Sequence, residues 1–244
     1  MSLTYLPRSA WNARPSLGPV HLNATGVRGT GLHYPAMGRR HLFARDDVAH
    51  ALRGWQDYHM DDREWSDIGY QVAVDQAGRV WTLRGLTTRS GANGNEEANE
   101  AYGAILLVVG DDETPTGALI TSTRQVIADF RRLYPKATAI RPHSAIRVEF
   151  TGNSTGCPGN RVRGLIAAGQ FEPKPVTPEG DSEMNTADRE YVDDRLQAYS
   201  LWLNLRRLED DLAVARAKND TVAAGILAPI AARAKADWEK AAKS

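Results

Sequence analysis

The stretch Tyr70-Gln71-Val72-Ala73-Val74-Asp75-Gln76-Ala77-Gly78-Arg79-Val80-Trp81-Thr82-Leu83 reads as two short strands joined by a turn. β-Branched and aromatic residues fill both arms, and Gln76-Ala77-Gly78 breaks them, the pattern of a hairpin. Downstream, Ala104-Ile105-Leu106-Leu107-Val108-Val109-Gly110 is a continuous apolar run of strand length, as expected for a central strand buried on both faces. Upstream, Val27 to Tyr34 reads as a short strand ending at a polar site. Arg45 to His59 reads as a helix with Val48, Leu52, Trp55 and Tyr58 on one stripe; Asp46 or Asp47 caps it or favours its positive end. Thr121 to Tyr134 reads as a second helix, capped by Thr121 or Ser122, with Val126, Ile127, Phe130 and Leu133 inward. Arg161 to Gly169 reads as a closing helix. Strands and helices in mixed order imply an α/β domain around one sheet.

The chain of 244 residues divides near residue 172. Phe171 to Asp181 holds three prolines and a glycine, an extended, semi-rigid linker. The expected domains are residues 1–171, a Pro-rich linker over 172–181, and a helical C-terminal domain over 182–244. In that tail Ala198, Leu201, Leu205, Leu208, Leu212 and Ala215 alternate spacings of three and four, a heptad seam. Lys218-Asn219-Asp220-Thr221 breaks the seam and offers a cap for a second helix, which Gly225 and Pro229 weaken. An α-helical hairpin is the simplest expectation. It can pack on itself, form a homodimer, or bind a surface through Tyr191, Tyr199, Trp202 and Trp238.

Hydrophobic residues make up 42% and charged residues 25%, the composition of a globular protein. Thirty basic residues balance thirty acidic ones, so charge points to no nucleic acid and no anionic surface. No apolar run approaches the roughly 18–20 residues that span a bilayer, so no membrane insertion is expected. Met1 to Arg8 lacks a basic stretch followed by an apolar core, so the expectation is no secretory signal. One cysteine excludes an internal disulfide.

That cysteine is Cys157, in the turn-like stretch Gly156-Cys157-Pro158-Gly159. His33 ends a predicted strand, and His143 follows Arg141-Pro142. Two neutral imidazoles and one thiolate hold Zn²⁺ and leave a fourth position for water, which is equipment for amide hydrolysis. Spacing alone does not unite the three, because they lie far apart in the chain.

The surrounding blocks do. Arg8 to Pro15, Gly31-Leu32-His33-Tyr34, Trp65 to Tyr70 with the hairpin through Trp81, Pro142-His143-Ser144 and Thr155 to Gly159 occur in this order. Together they resemble peptidoglycan recognition proteins and the related phage and bacterial N-acetylmuramoyl-L-alanine amidases, over roughly residues 7–168. The tail takes no part. The resemblance implies a mixed sheet flanked by helices, and a groove for the glycan-peptide strand of bacterial peptidoglycan. It implies zinc on His33, His143 and Cys157, and cleavage of the bond between the muramoyl lactyl group and L-Ala. It makes Tyr70 the catalytic tyrosine. Where many phage members carry lysine, this chain has Thr155; either Thr155 donates a hydrogen bond or the metal alone stabilises the oxyanion. Gln71 stands where the family often has His. Asn93 likewise stands in a Gly-Ala-His position, where it hydrogen-bonds a substrate amide or is an ordinary loop residue.

The expected activity is that of a phage endolysin, held in the host cytoplasm until release to the cell wall. A peptidoglycan-binding module without catalysis, and a host autolysin or recycling amidase, are the alternatives. His21, His41, His50 and His59 match no ligand position, and His50 and His59 are expected near the helix surface. Asp111-Asp112-Glu113 is expected in a solvated loop.

Overall fold

The computed structural model describes residues 3–36, 42–111, 113–173, 212, 216 and 221–241. The chain divides into two compact units, Met1–Val176 and Thr177–Ser244. The first is built on six strands: β1 (Tyr5–Leu6), β2 (Gly29–His33), β3 (Val72–Asp75), β4 (Val80–Thr82), β5 (Tyr102–Val108) and β6 (Ala139–Pro142). Their order in the sheet is β1-β4-β3-β5-β2-β6. β3 and β4 pair antiparallel, and the other neighbours run parallel. Around the sheet lie α1 (Arg45–Asp57), α2 (Glu96–Ala101), α3 (Gly117–Leu133), α4 (His143–Thr151) and α5 (Asn160–Ala167). This is the expected α/β class, a mixed sheet flanked by helices.

The apolar run becomes β5, and every one of its residues is buried. Its side chains alternate between two cores, as a strand's period of two requires. Ile105 and Leu107 pack with Leu119, Val126 and Ile127 of α3; Leu106 and Val108 pack with Val48 and Leu52 of α1. The hairpin forms with Val74 opposite Val80 and Val72 opposite Thr82. Asp75 fixes its turn: the carboxylate accepts from the Ala77 and Arg79 amides, the Arg79 guanidinium and the Trp81 indole. Gln71 is fully buried and ties strand to loop. Its amide donates to Leu86 O and Thr88 O and accepts from Ala104 N, so it serves the frame.

Several expectations need correction. α3 begins at Gly117 because the Thr116 hydroxyl, not Thr121 or Ser122, accepts from the Leu119 amide and caps it. Ser122 instead donates to Gly78 O and pins the hairpin turn. Leu133, expected inward, is 46% exposed, since the buried face of α3 ends at Phe130. Glu113 is buried rather than solvated, and its carboxylate accepts from the Gly110 amide. α2 and α4 were not anticipated; six and nine residues are too few for a clear helical period.

The second unit contains α6 (Thr221–Ala241), with Pro229 inside it. Residues 174–211, which hold most of the Pro-rich linker and of the heptad seam, lie outside the described residues. Among the described residues no helix is long and apolar enough to cross a membrane.

The two α3/β5 assignments are separable by mutation. Leu107→Ala, fully buried in β5, is expected to cost about 3 kcal/mol in urea denaturation. Leu133→Ala is expected to cost less than about 1 kcal/mol. Equal losses would contradict the inward and outward assignments.

Candidate metal centre

β2 and β6 are parallel neighbours, with Leu32 opposite Pro142. The next residue on each chain is therefore a histidine at the carboxyl edge of the sheet, where α/β folds gather ligands. His33 ends β2 and His143 opens α4; both are buried, and their rings lie 4.4 Å apart. Cys157 arrives from the loop after α4. The Ser144 amide donates to Cys157 O, which clasps that loop to the start of α4. Cys157 Sγ accepts from the Tyr34 amide at 3.4 Å and lies 3.8 Å from His33 Nδ1. One donor atom from each of His33, His143 and Cys157 falls within 4.8 Å of the others.

Asn93 decides how His33 is presented. Its Oδ1 lies 3.0 Å from His33 Nε2. The amide cannot turn over, because its nitrogen donates to Tyr102 O at 2.7 Å and to Ser90 Oγ at 3.1 Å. Oδ1 therefore accepts, Nε2 carries the proton, and the Nδ1 lone pair faces the cysteine. Gly31 makes room for this pair. A Cβ there would come within 2.7 Å of Ile146 Cδ1 and 3.0 Å of Asn93 Oδ1. Asn93 is fully buried, and its side-chain oxygen faces His33.

The donors suit a zinc ion. His143 Nε2 is buried with no hydrogen-bond partner, an orphaned ring nitrogen of the kind that needs explaining. Burial, then the charge of Arg147, pushes the His143 pKa down to about 4. Burial, then the neighbouring His143, lowers His33 as well, opposed by its bond to Asn93. Both imidazoles are thus neutral and able to ligate at neutral pH. Burial pushes the Cys157 thiol up to about 12, opposed by the Tyr34 amide and Arg163. A bound cation reverses that preference by pairing with the thiolate. Three donors leave a fourth position open.

The centre lines a cavity of about 420 Å³. Tyr70 stands in its wall, with its ring 5.4 Å from that of His33. The loop that delivers Tyr70 is held by Asp67, fully buried, which accepts from Arg8, Gln56 and the Ile68 amide. The Arg8 and Trp65 sequence blocks thereby meet in space. Burial, then proximity to Cys157, raises the Tyr70 hydroxyl, so the phenol keeps its proton. Thr155 lines the same cavity, and its Oγ1 accepts from the Cys157 amide at 3.3 Å, holding the cysteine turn.

His59 was expected near the surface and is buried in the cavity wall. α1 loosens into a π turn over Tyr58–Asp62, which shifts the phase of the side chains. His59 stacks on Trp65, centroids 4.7 Å apart and planes 5° off parallel. Its Nδ1 accepts from the Gly69 amide at 3.4 Å. The signal for it was the density of aromatic rings from Trp55 to Trp65, not the helical period. His50 is exposed, as expected.

No family model matches the chain. It is similar to peptidoglycan-recognition protein LB of Drosophila melanogaster, 27% identical over 167 residues and 67% of each chain. It is also similar to the N-acetylmuramoyl-L-alanine amidase of Homo sapiens, 25% identical over 160 residues, which are 66% of this chain and 27% of that protein. Among solved structures, Drosophila PGRP-LB matches with a TM-score of 0.59 at 23% identity, over 74% of this chain and 99% of that one. Peptidoglycan recognition protein LE, in complex with tracheal cytotoxin, matches with a TM-score of 0.58 at 22% identity, over 72% and 98%. The likeness in sequence is thus to peptidoglycan recognition proteins and amidases, and the likeness to the solved structures is one of fold.

Asn93→Leu removes the acceptor from His33 and is expected to weaken zinc binding roughly 10- to 100-fold, read by competition with a chromophoric chelator. Unchanged affinity would remove Asn93 from the centre. A second expectation concerns acid. Burial, then Arg84 and Arg63, hold His59 down at about 4, below its ordinary 6.5. The unfolded chain takes up that proton first, so stability falls as pH drops from about 6.5 to about 4, by roughly 3 kcal/mol from this group. His59→Asn should flatten the dependence in denaturation at a series of pH values; an unchanged slope would show His59 titrating normally.

Proposed function

We propose that this chain, homologous in its first unit to peptidoglycan recognition proteins and N-acetylmuramoyl-L-alanine amidases, is itself a zinc-dependent amidase. Its substrate on this reading is peptidoglycan, and the bond broken is the amide between the muramoyl lactyl group and L-Ala. One observation carries the reading: His33, His143 and Cys157 converge to within 4.8 Å at a cavity that also holds Tyr70. The solved relative in complex with tracheal cytotoxin supports peptidoglycan fragments as the ligand class.

When bound, zinc supplies a Lewis acid that polarises the scissile carbonyl and acidifies water. The residues of the chain do the rest. His33 and His143 stay neutral and present lone pairs, and Asn93 fixes the tautomer of His33. Tyr70 keeps its phenolic proton in the buried wall and donates it as a hydrogen bond to the oxyanion that develops on the substrate. Thr155 accepts from the Cys157 amide, which leaves its own hydroxyl proton free to donate into the cavity. A peptidoglycan-binding module without catalysis is the weaker reading, because such a module has no need of a half-buried thiol and two buried imidazoles at one point. Within the amidases we read the chain as a phage-type endolysin, on the motif blocks it shares with phage enzymes and its separate second unit.

Mass analysis of digested peptidoglycan tests this directly. Free stem peptides beginning at L-Ala are expected, lost with chelator and restored by zinc. Cys157→Ser should abolish both zinc retention and release. Tyr70→Phe should retain zinc while lowering kcat roughly 100-fold. Full activity in Cys157→Ser would sink the metal assignment, and intact glycan-peptide linkages with the zinc-loaded wild type would leave only binding.

A further inference from the structure

Among the described residues two arginines, Arg63 and Arg147, line the cavity, and no carboxylate does. Arg63 lies over the face of Trp65 at 5.7 Å. Arg147 has no such engagement. Its Nε is buried without a hydrogen-bond partner, and among the described residues no carboxylate pairs with its guanidinium. The acid two residues on, Glu149, is taken by Arg28 and Arg141. The stem of Arg147 runs beside Gly94, where a Cβ would lie 3.7 Å from Arg147 Cγ. A half-buried cation with no anion is costly to keep unless a ligand brings the anion.

Position indicates which anion. Arg147 follows His143 by four residues on α4, so both share one face, about 6 Å apart along the axis. The carboxylate of the residue after L-Ala lies a similar distance, roughly 6 Å, from the nitrogen of the scissile amide. Resting on the amidase reading above, we propose that Arg147 binds the free carboxylate of the stem-peptide residue that follows L-Ala. The chain therefore discriminates acid stems from amidated ones, and Arg147 is a substrate-binding residue and not a ligand of the metal centre.

The test compares N-acetylmuramoyl-L-alanyl-D-isoglutamate with its D-isoglutamine counterpart on the zinc-loaded full chain. The wild type is expected to favour the acid by roughly ten- to a hundredfold in kcat/KM, the range of a charge-assisted hydrogen bond. Arg147→Gln should erase that preference through KM on the acid alone, and Arg147→Lys should restore part of it. Equal wild-type rates on the two fragments, or an equal loss on both in Arg147→Gln, would overturn the assignment while leaving the amidase reading intact. If the wild type cleaves neither fragment, the amidase reading fails, and calorimetry on the same pair decides Arg147 separately. Tighter binding of the acid that is lost in Arg147→Gln supports it, and equal affinities refute it.

Discussion

The parallel pairing of β2 with β6 is the constraint on which the site depends. Leu32 opposite Pro142 sets His33 and His143 side by side at the carboxyl edge of the sheet. A slip of one residue would turn every side chain of β2 to the other face and send His33 into the apolar core. The register is protected by what surrounds it. β5 buries both faces and pairs with β2 along its whole length, from Gly29 opposite Tyr102 to His33 opposite Leu106. The hydrophobic core and the placement of the metal donors are thus one arrangement: Leu32 packs inward with α3 because His33 points the other way.

Around that edge, two buried polar side chains organise their surroundings. Asn93 spends its amide protons on Ser90 and Tyr102 and gives its oxygen to His33. Asp67 gathers Arg8, Gln56 and the Ile68 amide, and so fixes the loop that carries Tyr70. Against this background the unpaired atoms stand out. His143 Nε2 and Arg147 Nε both belong to residues of the cavity wall on α4, one turn apart. On the proposed reading the first would face a cation and the second an anion, a metal centre beside a site for an acidic substrate.

Burial sets the proton chemistry in a consistent direction. It lowers the imidazoles of His33, His59 and His143, and raises the phenol of Tyr70 and the thiol of Cys157. Every group is thereby pushed toward its neutral form. For the histidines and the tyrosine that is the form the proposed chemistry uses. For the cysteine it is not, so on that reading the thiolate would depend on a bound cation.

Strong periodicity made several elements legible in the sequence: the hairpin around Asp75, the buried strand through Leu107, and the bodies of α1 and α3. His33, His143, Cys157 and Tyr70 were marked by the resemblance of the blocks around them to peptidoglycan recognition proteins and amidases, not by spacing or local pattern. What it left undecided shares one cause. Asn93 lies sixty residues from the His33 it orients, His59 enters the cavity through a local change of helical phase, and Arg147 sits on a helix too short to announce itself. Their roles depend on which groups meet across the sheet edge and which find no partner there. Local propensity holds no information on either, and only the packed chain decides them.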